Sequence, residues 1–126
     1  MFRRTLIHVM ILAGALTTGC GKSEQPVSFS ADVQPILAAR CTECHEPGQA
    51  GYEASQLRLA SYDDLMQGTR FGPVVVPGDS LNSALIILVE GRADPSIKMP
   101  HGEARPPTFG EIETLKVWVD QGAANN

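Results

Sequence analysis

The run Cys41-Thr42-Glu43-Cys44-His45 constrains this chain more tightly than any other stretch. Two thiols three residues apart, followed at once by an imidazole, either bond to each other or hold something between them. At 126 residues the chain has the length of one domain, so whatever these residues hold lies close to everything else.

The third cysteine has a different setting. Arg3 and Arg4 precede an uncharged apolar run, Leu6 to Gly19, that is too short for a spanning helix of about 20 residues but suits the core of an export signal. The run ends Thr17-Thr18-Gly19-Cys20 and is followed by polar "GKSEQP". This resembles a bacterial lipoprotein signal, in which Cys20 becomes the lipidated first residue; the usual leucine position holds Thr17, with Leu16 one place earlier. The expected organisation is a signal peptide over 1–19, a lipidated tether over 20–28 and a domain over 29–124. Loss of Arg3 and Arg4 with the leader takes the formal charge from −4 to −6, which argues against a nucleic-acid partner. With Cys20 occupied, Cys41 and Cys44 have only each other or a cofactor to bond.

Hydrophobic periodicity predicts an all-α domain of four helices. The first starts near Ser30–Asp32, carries Val33, Ile36 and Leu37 on one face, and runs into Cys41; Pro35 fits only in its first turn. Residues 47–56 have the turn composition of a loop. Ser61 and Asp64 open a short second helix that Gly68 ends. Val74, Val75 and Val76 lie between Pro73 and Pro77 without a second β-run to pair with, so an extended, buried segment is expected there, over one edge of whatever the domain encloses. Asp79 is placed as cap of the third helix, with Leu81, Ala84, Leu85, Leu88 and Val89 on its stripe and Gly91 at its end. A sixteen-residue loop, Arg92 to Pro107, follows, and a loop of that length usually has work to do. Thr108 and Glu111 form a capping box for the last helix, which buries Ile112, Leu115, Trp118 and Val119 and stops at Gly122. The first and last helices are expected to pack together, with Trp118 near their contact or near the cofactor.

Three chemistries compete for Cys41, Cys44 and His45. A zinc site needs three or four convergent ligands, and His101 would have to complete the set. Adjacent Cys44 and His45 project about 100° apart at a helix end, which makes that convergence awkward. A redox dithiol sits at a helix N-terminus where the thiol pKa is lowered, whereas this pair follows a helix. Covalent haem uses every residue of the motif: Cys41 and Cys44 form thioethers to the vinyl groups and His45 falls under the iron. Shuffling this composition yields the pattern in about one chain in a thousand. Haem attachment also occurs outside the cytoplasm, where the export signal sends the chain.

The second axial position has three candidates in the mature chain, Met66, Met99 and His101. Met99 lies in the long loop as "KMPHG", fifty-four residues after His45, where it is free to cross the far face of the haem. Met66, beside Leu65 on a short helix, reads as a core residue, and His101 as an exposed loop histidine. His45 and Met99 are therefore the expected iron ligands, a pairing that raises the potential and favours electron transfer.

In order, "FSADVQPILAARCTECH", "LRLASYDDLMQG", "GPVVVPGDSLNSALI", "KMP" and "EIETLKVWVDQGA" resemble the single-haem c-type cytochromes of the planctomycete type, over nearly all of residues 29–124. The resemblance implies a class I cytochrome c-like helical fold around one covalent haem c, with Cys41 and Cys44 bonded to it, His45 proximal and Met99 distal. The chain departs from the pattern at Gly68-Thr69, often a glycine pair, and at His101, often a second proline. The expected function is single-electron transfer between redox proteins, by an extracytoplasmic protein lipid-anchored at Cys20 to a bacterial membrane. That is the role of a carrier rather than an enzyme, acting alone or as partner or subunit of an oxidoreductase. A gas-binding haem sensor with a labile Met99 bond is the alternative.

Overall fold

A computed structural model describes residues 25–126; the leader and Cys20 lie outside them. The described chain is all-α and contains no β-strand, only an isolated bridge between Thr69 and Gly72. Its helices are α1 (Gln34–Arg40), α2 (Ala50–Ser55), α3 (Tyr62–Gln67), α4 (Ala84–Val89) and α5 (Phe109–Asp120). A π-helical turn, Phe29–Val33, leads into α1, and a 3₁₀ turn, Pro95–Ile97, interrupts the long loop.

The chain enters the domain through a reciprocal cap two residues earlier than the sequence suggests. The Ser28 hydroxyl accepts from the Ala31 N–H, and the Asp32 carboxylate accepts from the Ser28 N–H at 2.8 Å. The partners stand four apart because the first turn is wide, with the Val33 N–H reaching the Ser28 carbonyl at 3.2 Å. Pro35 thus lies beyond the first turn of the whole helical run, though in the first turn of its α part. A widened turn just before a proline suits a ring that has no N–H to give and crowds the preceding carbonyl.

Residues 47–56, expected as a loop, contain α2 instead. None of its residues is buried, so it carries no apolar stripe for periodicity to detect. It is held from outside: the Tyr52 N–H donates to the Cys44 carbonyl at 3.2 Å, and Gln56 closes the helix in the left-handed region at φ 60°. The expected four helices are corrected to five α-helices among the described residues. α3 matches its sequence signals, with the Ser61 hydroxyl accepting from the Asp64 N–H and Gly68 at the C-cap.

The valine segment is extended and unpaired as a strand. Val74 and Val75 are buried, whereas Val76 is exposed, so it does not join them in covering the interior. The segment is stitched to the start of α4: the Leu85 N–H donates to the Val74 carbonyl at 2.9 Å, and the Val76 N–H to the Ser83 hydroxyl at 2.8 Å. α4 begins at Ala84, not at Asp79. The Asp79 carboxylate accepts instead from the Asn82 N–H and side-chain amide, closing a turn that points Leu81 outward at 67 % exposure. α5 has the expected capping box, with the Glu111 carboxylate accepting from the Thr108 N–H and the Thr108 hydroxyl from the Glu111 N–H. Leu115, Trp118 and Val119 are buried on it, with Ile112 half-buried.

The first and last helical segments pack together through aromatic rings. Phe29 lies 5.6 Å from Trp118 and meets Tyr62 edge-on at 5.2 Å between centroids. Both polar ends find backbone acceptors, Tyr62 Oη at Ala123 and Trp118 Nε1 at Ala124, as buried aromatic polar tips require. At the other end of the pair, Arg40 Nε and Nη2 donate to the Glu111 carboxylate at 2.9–3.2 Å, tying the end of α1 to the start of α5. The turn that follows Arg40 carries the cysteines.

Candidate haem site

Cys41 is the C-cap residue of α1, its N–H still bonded to the Leu37 carbonyl. The chain then coils tightly, with the Cys44 N–H reaching Cys41 at 3.2 Å and the His45 N–H reaching Cys41 and Thr42 at 3.2 and 3.1 Å. Thr42 adds a second anchor by donating its hydroxyl to the Leu37 carbonyl at 3.1 Å. These bonds hold the motif residues as one rigid turn at the mouth of a cavity. Cys41 is half-buried, Cys44 exposed and His45 buried.

The cavity measures about 370 Å³ and is almost wholly apolar. Cys41, Cys44 and His45 line one part of its wall, and Met99, Pro100 and His101 another. The lining also includes Leu57 and Leu59 before α3, Val74 of the extended segment, and Leu85, Leu88 and Val89 of α4. The loop carrying Met99 is fastened to α4 by the Met99 N–H, which donates to the Leu88 carbonyl at 3.2 Å. Met66 does not line the cavity; it packs against the hydrophobic core. Trp118 is also absent from the lining and belongs to the helix contact described above.

The titration properties of the motif bear on the three chemistries. Burial pushes the Cys41 thiol up to about 11, with Arg40 opposing and Cys44 and Glu111 adding to the rise. A redox dithiol needs the opposite shift. Burial also lowers His45 below the ordinary imidazole value; the Leu57 backbone counters this in part and the charge of His101 adds to it. His45 is thereby kept neutral, the form that binds metal. Its Nδ1 is buried and makes no hydrogen bond of normal geometry, although the Leu57 backbone is near enough to affect its titration. Among the described residues no three His, Cys, Asp or Glu side chains converge as a zinc site requires.

One residue of the site gave no signal in the sequence. A Cβ built on Gly51 would lie 2.7 Å from the Cys44 carbonyl oxygen and 3.1–3.2 Å from Cε1 and Nε2 of His45. Gly51 therefore lets α2 close onto the imidazole and hold its ring. Because α2 was hidden in a stretch of loop composition, nothing in the sequence brought Gly51 to His45.

A family model described as planctomycete cytochrome C matches residues 41–103, half the chain, from the first motif cysteine past the methionine loop. The chain belongs to the planctomycete cytochrome C family. No curated protein and no solved structure matches it. Membership makes this a c-type cytochrome and implies covalent haem c, and the cavity suits that group on its own evidence. Its volume is within the range of about 300–1,000 Å³ usual for sites that enclose organic ligands. Its wall is apolar, it places both thiols beside a neutral imidazole, and Gly51 leaves room at the ring. An all-α cytochrome c-like fold is what the family and the helices together describe.

Proposed function

We propose that this c-type cytochrome carries single electrons between redox proteins through one haem, bonded to Cys41 and Cys44 and ligated by His45 and Met99. The observation that carries the reading is the cavity itself: residues fifty-four positions apart, His45 and Met99, line one apolar chamber together with both thiols. Bound there, haem supplies a one-electron iron couple.

The chain's own residues do the rest. α1 and the Cys41–His45 turn fix the thiols and the imidazole in one rigid piece, while Gly51 and α2 keep the ring from turning. Leu57, Leu59, Val74 and Leu85 exclude water, which limits reorganisation around the iron and tunes its potential. Met99, tied to α4 through its N–H, is positioned to offer a thioether, a ligand that favours the reduced state. Cys44 and Ala54 are exposed members of the lining, so the cysteine side of the cavity faces solvent and is the route proposed for the electron.

The same reading extends to the part outside the described residues. Export, lipidation at Cys20 and attachment to a bacterial membrane, facing the periplasm or on the outer membrane, are proposed from the sequence of residues 1–20. Among the described residues no helix is long and apolar enough to cross a membrane.

The test is spectroscopic. Full-length protein matured in a host that attaches haem to cysteine should keep its pigment on the polypeptide after denaturation. It should also show the near-infrared sulfur-to-iron band when oxidised. Met99→Ala should abolish that band. Pigment that dissociates on denaturation, or a band that survives the substitution, overturns the reading. The reduced protein should also bind carbon monoxide slowly; fast binding would identify a gas-binding site instead.

A further inference from the structure

The chain enters the domain under a clasp made by residues that follow α5. The Val27 N–H donates to Gln121 Oε1 at 2.7 Å, and the Phe29 N–H to Asn126 Oδ1 at 2.8 Å. The Asn126 carbonyl accepts from the Ser30 N–H at 3.0 Å and from the Ser28 hydroxyl at 2.9 Å. Gln121 and Asn126 are exposed and neither belongs to the hydrophobic core. Val27 and Ser28 lie ahead of every helical element, so the clasp holds a stretch of chain that the core does not need held.

The clasp closes one end of the α1–α5 pair. Phe29 packs on Trp118 near the end of α5, and Arg40 pairs with Glu111 near its start, so the two helices run antiparallel. Glu111 and Gln121 stand about 15 Å apart along the axis at the α-helical rise. Cys41 follows Arg40, which puts the haem-attachment turn and the clasp at opposite ends of the pair. The two stretches that form the clasp, 25–32 and 121–126, carry one charge, Asp32, whose carboxylate accepts from the Ser28 N–H. An acidic domain is repelled by an anionic bilayer, and a charge-poor end is the one that meets least repulsion there.

We propose that the clasp orients the domain on a lipid surface: the end built from residues 25–32 and 121–126 faces the bilayer, and the Cys41–Cys44 turn faces away from it, toward partners in the aqueous phase. The proposal rests on reading Cys20 as the lipidated residue. Six residues separate Cys20 from Val27, a reach of at most about 25 Å. A compact domain of this size is about 34 Å across. Held at Val27, the domain can tip on its anchor but cannot turn over.

The experiment uses lipidated, haem-loaded protein, reduced so that the iron is diamagnetic, in nanodiscs of phosphatidylcholine and phosphatidylglycerol that contain a gadolinium-chelating lipid. Relaxation of amide signals by the gadolinium falls steeply with distance. In wild type the enhancement at Ala124 and Asn125 should be at least about tenfold that at Thr42 and Glu43, which lie about 15 Å further along the pair. Inserting a flexible glycine–serine stretch of about ten residues between Gly21 and Lys22 leaves the domain untouched and should abolish the contrast, because the reach then exceeds the domain's width. In Gln121→Ala/Asn126→Ala, amide exchange at Val27 and Phe29 should quicken and the contrast should shrink toward that of the insertion. Protein whose mass shows no lipid on Cys20 overturns the anchor and this proposal together. Lipidated protein with equal enhancement at both ends, or with more at Thr42, overturns the orientation alone. A contrast that persists in the double variant after exchange at Val27 has become fast overturns the role given to Gln121 and Asn126.

Discussion

Two glycines, one in α2 and one in α5, should respond to alanine with opposite signs. In an exposed helix Gly→Ala stabilises by about 0.5–1 kcal/mol, because the unfolded chain loses freedom and alanine favours the helix. At Gly110, near the start of α5, an added Cβ meets nothing within 4 Å, so Gly110→Ala should show that gain. At Gly51 the same methyl would sit 2.7 Å from the Cys44 carbonyl oxygen and 3.1 Å from the His45 ring. Ordinary contact begins several tenths of an ångström further out, and the nearest atom is backbone fixed by the Cys41–His45 turn. Overpacking of this kind costs about 1–3 kcal/mol, which outweighs the helix gain. In a domain of this size each kcal/mol moves the thermal midpoint by about 4–8 °C. Thermal and urea unfolding of the haem-loaded proteins, followed by far-UV circular dichroism and by the haem absorption, should place the two variants on opposite sides of wild type. Gly51→Ala should also perturb the haem spectrum, because His45 must shift. If Gly51→Ala raises the midpoint as Gly110→Ala does and leaves the spectrum alone, α2 does not pack on the imidazole in the way described.

Other consequences follow from the same contacts. Arg40 holds the Glu111 carboxyl down to about 2 from its ordinary 4.5, with the Thr108 N–H assisting. A depressed carboxyl stabilises the fold above its unfolded pKa and loses that contribution as pH falls from about 4.5 through about 2. The stability gap between wild type and Glu111→Gln should therefore be about 1–2 kcal/mol at pH 7, allowing for solvent screening, and shrink in acid; a constant gap in urea titrations would refute the pairing. Leu81→Ala should stay within about 0.5 kcal/mol of wild type, whereas Leu85→Ala should cost about 2–5, and equal losses would put Leu81 back on a buried stripe. Trp118→Ala should cost about 3–5 kcal/mol while leaving the sulfur-to-iron band of folded protein intact, since the ring packs on Phe29 and away from the cavity; loss of the band would place it at the haem.

The Cys41–His45 motif was legible as a motif because its residues are local to one another. Two thiols and an imidazole lie within five residues, and backbone bonds from Cys44 and His45 to Cys41 and Thr42 close the turn between them. Helix signals were legible where they too are local: Thr108 with Glu111, Ser61 with Asp64, and the buried stripe of Leu115, Trp118 and Val119. Asp79 misled because a capping carboxylate binds any nearby N–H, and here it closed a turn on Asn82 two residues before α4 begins. α2 stayed hidden because it buries no side chain; its support is the Cys44 carbonyl and the imidazole, neither of which its own sequence contains.

Sequence alone, then, located the thiol–imidazole motif and most of the helices, since each depends on residues within about one turn of one another. The sequence already paired Met99 with His45, and both line one cavity; only the tertiary structure set Gly51 against the imidazole ring and brought the Tyr52 N–H to the Cys44 carbonyl. Those relations join segments separated by loops whose paths are set by packing. No periodicity along the chain encodes how two such segments will face each other.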